Sequence, residues 1–430
     1  MGGTDMGEDA PAGRRWPLGF GPTARLAALG FVVLAFCMYW LGTGRWAAFE
    51  YQCALWGGWF LAAALLAATV PSALRRTNTM PGRLATAAVG PALFLLIFLS
   101  LYIGAQVVCW RLEKGQEARR QHTGPHATGD TYTFDRVLGY RPRENAESGA
   151  TLTVDGELVF DYTYHTDAYA RRVVPAQADE GRSYERALLV FGGSYAFGEG
   201  VSDGESLPNQ LALRLPDTRI YNYGFSGYGS GQALARLESG TLPEQVKEKQ
   251  VAALYIFIPN HVRRVIGSFT VIPWSRHSPY YPINPGEEAP VRTGSFQSDR
   301  ARLTRFYDFL QGDYVLKYTH IDFPLRVRAE HLAHTAKLLG AAKDRFQEQF
   351  DSPDFTVVLF PASPQDEFDP RELAPYAEKR GLRVLDYAQL FAGDSSAHFY
   401  LPHDPHPRPE TYEILAGELA QSGLFSPRQP

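Results

Sequence analysis

The stretch Ala187-Leu188-Leu189-Val190-Phe191-Gly192-Gly193-Ser194 runs five apolar residues straight into two glycines and a serine. A run that is apolar at every position reads as a strand covered on both faces, the condition of a parallel sheet. The glycines let the chain turn at once, which leaves Ser194 at the strand end. Downstream, Ser206–Leu215 carries Leu207, Leu211 and Leu215 at helical spacing. Arg219–Phe225 reads as a second strand, followed by Gly227-Tyr228-Gly229-Ser230-Gly231 and a helix over Gln232–Leu237. Ala252–Ile258 is a third strand, ending at Pro259-Asn260. His331–Phe350 is helical in character, Phe355–Phe360 and Leu382–Tyr387 are further strands, and Pro409–Leu424 is a closing helix with proline in its first turn. Strands alternating with helices predict an α/β domain with helices on both faces of a parallel sheet.

Ligands on such sheets bind beyond the carboxyl ends of the strands. Ser194, Gly227 and Asn260 each follow a strand closely, so they are expected on one edge. A serine hydroxyl is a poor nucleophile at neutral pH and needs a base to take its proton. Asp404-Pro405-His406-Pro407 supplies a histidine two residues after an aspartate, on a loop before the closing helix. His406 would act as base and then acid, with Asp404 holding its tautomer. The backbone N–H groups of Ser194 and Gly227 and the amide of Asn260 would receive a developing oxyanion. His403 and His398 lie near the same loop, but the two-residue spacing from Asp404 favours His406. His331 and His334 stand at i,i+3 on a helix; with no further ligand at helpful spacing they read as a solvated face, and no metal is expected. No Walker loop and no Rossmann fingerprint occurs, so no nucleotide cofactor is expected.

These four blocks, with Ser, Gly, Asn and His in this order, resemble the SGNH (GDSL-type) hydrolase superfamily over roughly Arg186–Leu424, and the lead-in from Thr131 resembles that of membrane-anchored bacterial members. The resemblance implies a flavodoxin-like domain, Ser194 as nucleophile, Gly227 and Asn260 in the oxyanion hole, and Asp404 and His406 completing the triad. Two positions depart from the family pattern. Gly193 stands where aspartate is usual, and His261, in Pro259-Asn260-His261, replaces an acidic residue.

The rest of the 430 residues differs in kind. Leu26–Leu41, Cys53–Val70 and Leu84–Trp110 are long apolar runs with basic flanks. A spanning helix needs about 20 apolar residues, so residues 1–111 are expected to form three transmembrane helices in a lipid bilayer. All three cysteines, Cys37, Cys53 and Cys109, fall in these runs, so the remainder is no disulfide scaffold. Residues 112–130 are polar without apolar period and read as a linker. Residues 131–185 read as a β-rich extension, with Asp155-Gly156 between two alternating runs as a hairpin signal. Residues 186–430 form the hydrolase-like domain, with an aromatic- and proline-rich insertion at about 268–322 that reads as a lid or binding loop.

The N-terminus and second loop hold Arg14, Arg15, Arg25, Arg75, Arg76 and Arg83. The first loop and the start of the soluble part hold Arg45, Arg111, Lys114, Arg119 and Arg120. The positive-inside rule therefore leans to a cytoplasmic N-terminus and an extracytoplasmic catalytic domain, with the Arg111–Arg120 cluster as contrary evidence. The net charge of −4 and the lack of a basic stripe argue against nucleic acid. The expected function is a membrane-anchored serine esterase acting on acyl esters, such as acetyl, of an envelope glycan or lipid. The alternatives are an O-acyltransferase using the same triad and a catalytically silent glycan-binding protein. Three spans look too few for an acyl-donor channel, which favours hydrolysis.

Overall fold

The computed structural model describes residues 80–425 except 179–180, 285, 287–288 and 393–395. The chain divides into two units, Met1–Arg111 with Gly312–Val315, and Leu112–Gln311 with Leu316–Pro430. In the first, a helix begins at Met80 and continues into the second unit as far as Arg119. The apolar runs Leu26–Leu41 and Cys53–Val70 lie outside the described residues. Leu84–Trp110 falls within this helix, but most side chains of its first half lie outside them too. Among the described residues no helix is long and apolar enough to cross a membrane.

The second unit is built on five parallel strands: β6 (Arg186–Gly192), β7 (Thr218–Asn222), β8 (Gln250–Phe257), β11 (Phe355–Leu359) and β12 (Arg383–Asp386), in the order β12-β11-β8-β6-β7. β6, β8 and β11 are buried on both faces, as their continuous apolar sequences require. Alternate side chains serve opposite layers. Leu189 and Phe191 pack with Tyr255, Leu234, Leu339 and Phe346 on one face. Leu188 and Val190 pack with Ile256, Leu207, Leu211, Tyr412 and Leu415 on the other. Each fully buried aliphatic side chain stabilises such a core by about 1.5–3 kcal/mol. The strand order reverses between β6 and β8, which opens a crevice at their carboxyl ends.

Ahead of this sheet, β2 (Tyr132–Asp135) pairs with β3 (Gly139–Pro142), and β4 (Glu147–Val154) with β5 (Glu157–His165), all antiparallel. The β4–β5 turn places Asp155 at φ 55° and Gly156 at φ 83°, as a tight Asp-Gly hairpin demands. On β5, Phe160, Tyr162 and Tyr164 point inward at period two and pack against Phe197 and Phe225 of the main domain.

Residues 112–130, expected as a linker, carry regular structure instead. The helix from Met80 runs to Arg119, β1 (Arg120–Thr123) adds to the edge of β4, and a short helix, Pro125–Thr128, buries His126. β1 has all four side chains exposed, so no apolar period announces it. The insertion at 268–322 has its own small core of Phe269, Ile272, Phe296 and Tyr307, beside a strand pair, β9 (Pro279–Tyr280) and β10 (Gly294–Ser295). The solvated-face reading of His331 and His334 is corrected: both are buried. His334 Nε2 lies 2.9 Å from the Tyr281 carbonyl, and His331 Nδ1 accepts the Arg328 backbone N–H at the helix start. Among the described residues no cluster of His, Cys, Asp and Glu has the makings of a metal site.

Candidate active site

β6 ends at Gly192, and after Gly193 the residue Ser194 opens the single helical turn Ser194–Phe197. Ser194 is buried, and its carbonyl accepts the N–H groups of Gly198 (2.8 Å) and Glu199 (3.0 Å), which closes the turn. Gly193 is required here by close approach. A Cβ at that position would collide with the Arg264 guanidinium and lie 2.8 Å from His261 Nε2 and 2.9 Å from the Tyr228 carbonyl. Gly193 and His261 therefore face each other: an imidazole and a guanidinium fill the place that a side chain at 193 would need. His261 Nδ1 lies 2.8 Å from the Tyr255 hydroxyl, and burial with the nearby Arg264 charge keeps the ring neutral, its pKa far below the ordinary histidine range.

After β7, Asn222 Oδ1 accepts the Gly224 N–H and turns the chain. Gly227 then adopts φ 78°, in the left-handed region that favours glycine. A side chain there would strike the Tyr140 hydroxyl and the ring of Trp274, which the insertion carries over this loop. After β8, Asn260 opens the Asn260–Ile266 helix and is exposed. Its Oδ1 accepts from Arg264 Nε at 3.2 Å, one helical turn on, while Arg264 Nη1 donates to the Tyr228 carbonyl at 2.7 Å. Asn260 is thereby oriented with its oxygen occupied and its NH2 as the group left to donate elsewhere. Arg264 ties the loops after β7 and β8 together beside Gly193.

The fourth segment is the loop before the Pro409–Gln421 helix. Asp404 Oδ1 lies 2.6 Å from His406 Nδ1 and also accepts the His406 backbone N–H at 3.0 Å. Arg120 Nη2 donates to Asp404 Oδ2 at 3.0 Å, and its Nη1 donates to the His403 carbonyl at 2.6 Å. Burial would raise the Asp404 pKa, but the bond and charge of His406 hold it below the ordinary carboxylate value. His403 contributes its carbonyl to this arrangement, whereas the ring bonded to Asp404 is that of His406. The loop is set against the Ser194 turn through Tyr195, whose hydroxyl donates to the Pro405 carbonyl and whose ring meets the His406 ring edge-on at 5.7 Å.

Ser194, Gly227 and Asn260 thus gather at the carboxyl edge of the sheet, and Asp404 and His406 form their pair. One expected contact is not made: among the described residues, no hydrogen bond joins the Ser194 hydroxyl to His406. His406 Nε2 faces the Glu199 carboxylate instead, at 3.6 Å. Glu199, Arg264 and Arg120 are the residues that the sequence reading passed over. The signals for two of them were local. Glu199 is a lone acid between two glycines in the serine block, and Arg264 stands at i+4 from Asn260. Nothing local marks Arg120.

As a candidate oxyanion donor, Asn260 carries an expected result for Asn260→Ala. Loss of one oxyanion donor lowers kcat by about 10²–10³ with little change in KM. Steady-state kinetics on a short-chain aryl ester checks this, and a pure KM effect would make Asn260 a substrate contact.

No protein-family model matches the chain, and no curated protein matches it. Among solved structures, a psychrotrophic esterase from Pseudoalteromonas is similar at 14% identity, covering 55% of this chain and 96% of that one, with a TM-score of 0.32. A lipolytic G-D-S-L family protein from Veillonella parvula is similar at 15% identity, covering 55% and 97%, with a TM-score of 0.32. An SGNH-hydrolase family esterase is similar at 17% identity, covering 56% and 96%, with a TM-score of 0.29.

Proposed function

We propose that this chain is a serine esterase working through an acyl-enzyme, held at a membrane by its apolar N-terminal runs. Its substrates are acyl esters, such as acetyl, of an envelope glycan or lipid. The observation that carries the catalytic part is the Asp404–His406 pair, bonded at 2.6 Å, standing against the Ser194 turn at the switch point of a parallel sheet. Ser194 Oγ attacks the ester carbonyl while its proton passes to His406 Nε2. The oxyanion is received by the backbone N–H groups of Ser194 and Gly227 and by the Asn260 amide. His406 returns the proton to the leaving alcohol, and water, activated by the same imidazole, then releases the acid. Trp274, 45% exposed beside Gly227, offers an apolar face to a sugar or acyl chain entering there.

The test is to label the full-length protein in detergent with a fluorophosphonate. An adduct on the Ser194 peptide, absent in Ser194→Ala, is expected; no labelling, or labelling elsewhere, overturns the reading. The membrane part rests on the three apolar runs and the basic residues around them, which favour an exported domain. A periplasmic alkaline phosphatase fused after Leu424 is expected to be active, and a fluorescent protein that folds only in the cytoplasm is expected to stay dark. The reverse result places the site inside the cell.

A further inference from the structure

Glu199 has no part in the chemistry just described, yet it faces the working nitrogen of the base. Its Oε2 lies 3.6 Å from His406 Nε2 and accepts a 2.5 Å hydrogen bond from the Ser226 hydroxyl. Its Oε1 lies 3.8 Å from His126 Nε2. The side chain is only 16% exposed. Glu199 reaches this place because its own N–H closes the turn onto the Ser194 carbonyl. The nucleophile and this carboxylate are therefore fixed on one short piece of backbone.

A neutral imidazole presenting its Nε2 lone pair to a carboxylate gains nothing there. A protonated ring gains an ion pair at each nitrogen, Asp404 at Nδ1 and Glu199 at Nε2. We infer that Glu199 is a positioning residue that holds His406 as an imidazolium between two carboxylates, so that the site is latched at low pH and released when Nε2 gives up its proton and becomes available to Ser194. This regulation rests on the reading of Ser194 and His406 as nucleophile and base.

The two carboxylates outweigh the opposing influences on His406. Burial alone would lower the His406 pKa, but Glu199 and Asp404 together raise it above the ordinary histidine value, against an opposing contribution from Arg264. Burial would raise the Glu199 pKa, but His406, His126 and Ser226 hold it well below the ordinary carboxylate range. From β1, Arg120 reaches Asp404, and His122 feels both Glu199 and Asp404. The ring of Tyr195 completes the enclosure. Because the folded-state pKa of His406 is raised, the latched form persists to higher pH than for an ordinary histidine. Turnover is lost as pH falls through that raised value.

Glu199→Gln keeps the size and the acceptor for Ser226 while removing the charge. The acidic limb of its kcat/KM profile is expected to shift to lower pH than in the unaltered protein. The same shift is expected in the 15N titration of His406, followed in full-length protein labelled at histidine and held in detergent, with the signal identified by its loss in His406→Asn. The titration needs no turnover, so it separates the two readings. A downward shift in protein that lacks esterase activity supports the latch and sinks the esterase. Turnover with an unmoved limb and an unmoved titration overturns the latch. If Glu199→Gln does not fold, Ser226→Ala loosens the same carboxylate; a smaller downward shift supports the latch, and no shift overturns it.

Discussion

Ser194→Ala is expected to abolish ester turnover, lowering kcat by on the order of 10⁵–10⁶ on a short-chain aryl ester. The size of the effect follows from the role. Without the hydroxyl there is no acyl-enzyme, and the remaining donors alone give only slow background hydrolysis. The fold is expected to survive. Ser194 is small, and its backbone does the structural work by accepting the Gly198 and Glu199 N–H groups, which alanine does equally well. Thermal melting should therefore match the unaltered chain within error. A variant that melts normally and still turns over ester at the original rate would remove Ser194 from the mechanism.

His406→Ala is expected to cost a similar factor, and Asp404→Asn about 10⁴. Asp404 matters through what it touches. Its Oδ1 holds His406 Nδ1 and the His406 backbone N–H, and its Oδ2 takes Arg120. An amide at this position faces donors with a donor of its own, which turns the ring to the wrong tautomer and leaves Arg120 without its counter-charge. The control is His403→Ala: His403 supplies only its carbonyl to Arg120, so its side chain should be dispensable. If His403→Ala proves as damaging as expected for His406, and His406→Ala is harmless, the base has been misassigned.

The parallel sheet was legible because it is buried on both faces. Ala187–Phe191, Ala252–Ile258 and Phe355–Phe360 needed no alternation to be recognised, and their observed ends, at Gly192, Phe257 and Leu359, shift by a residue or so. Arg219–Phe225 ran too long because its apolar character continues past Asn222. The regular strand stops there, where the Asn222 side chain turns the backbone. The histidines of the Ala329–Phe350 helix were read as a solvated face because no further metal ligand stands at helpful spacing. They share its buried side with Leu332, Thr335 and Leu338, where His334 meets the Tyr281 carbonyl and His331 meets the Arg328 N–H and the Glu330 carboxylate. The candidate triad was visible as types and spacings. The latch was not, because the partners of Glu199 come from positions near 126, 226 and 406, which only the tertiary fold brings together. β1 was invisible for the opposite reason, since a strand whose four side chains are all exposed leaves no apolar period in the sequence.

That strand decides where the protein can be cut. A recombinant fragment begun at Thr131, after the stretch that looks like a tether, would lose β1 and the short helix that buries His126. It would bare the outer edge of β4 as a template for self-association. The same cut would remove the guanidinium that pairs with Asp404 Oδ2, as well as one of the two histidines around Glu199. Such a fragment is expected to aggregate, and what stays soluble should report a weakened triad. A start at or before Leu112 keeps all of these parts, so an inactive short fragment would say more about its boundary than about its chemistry.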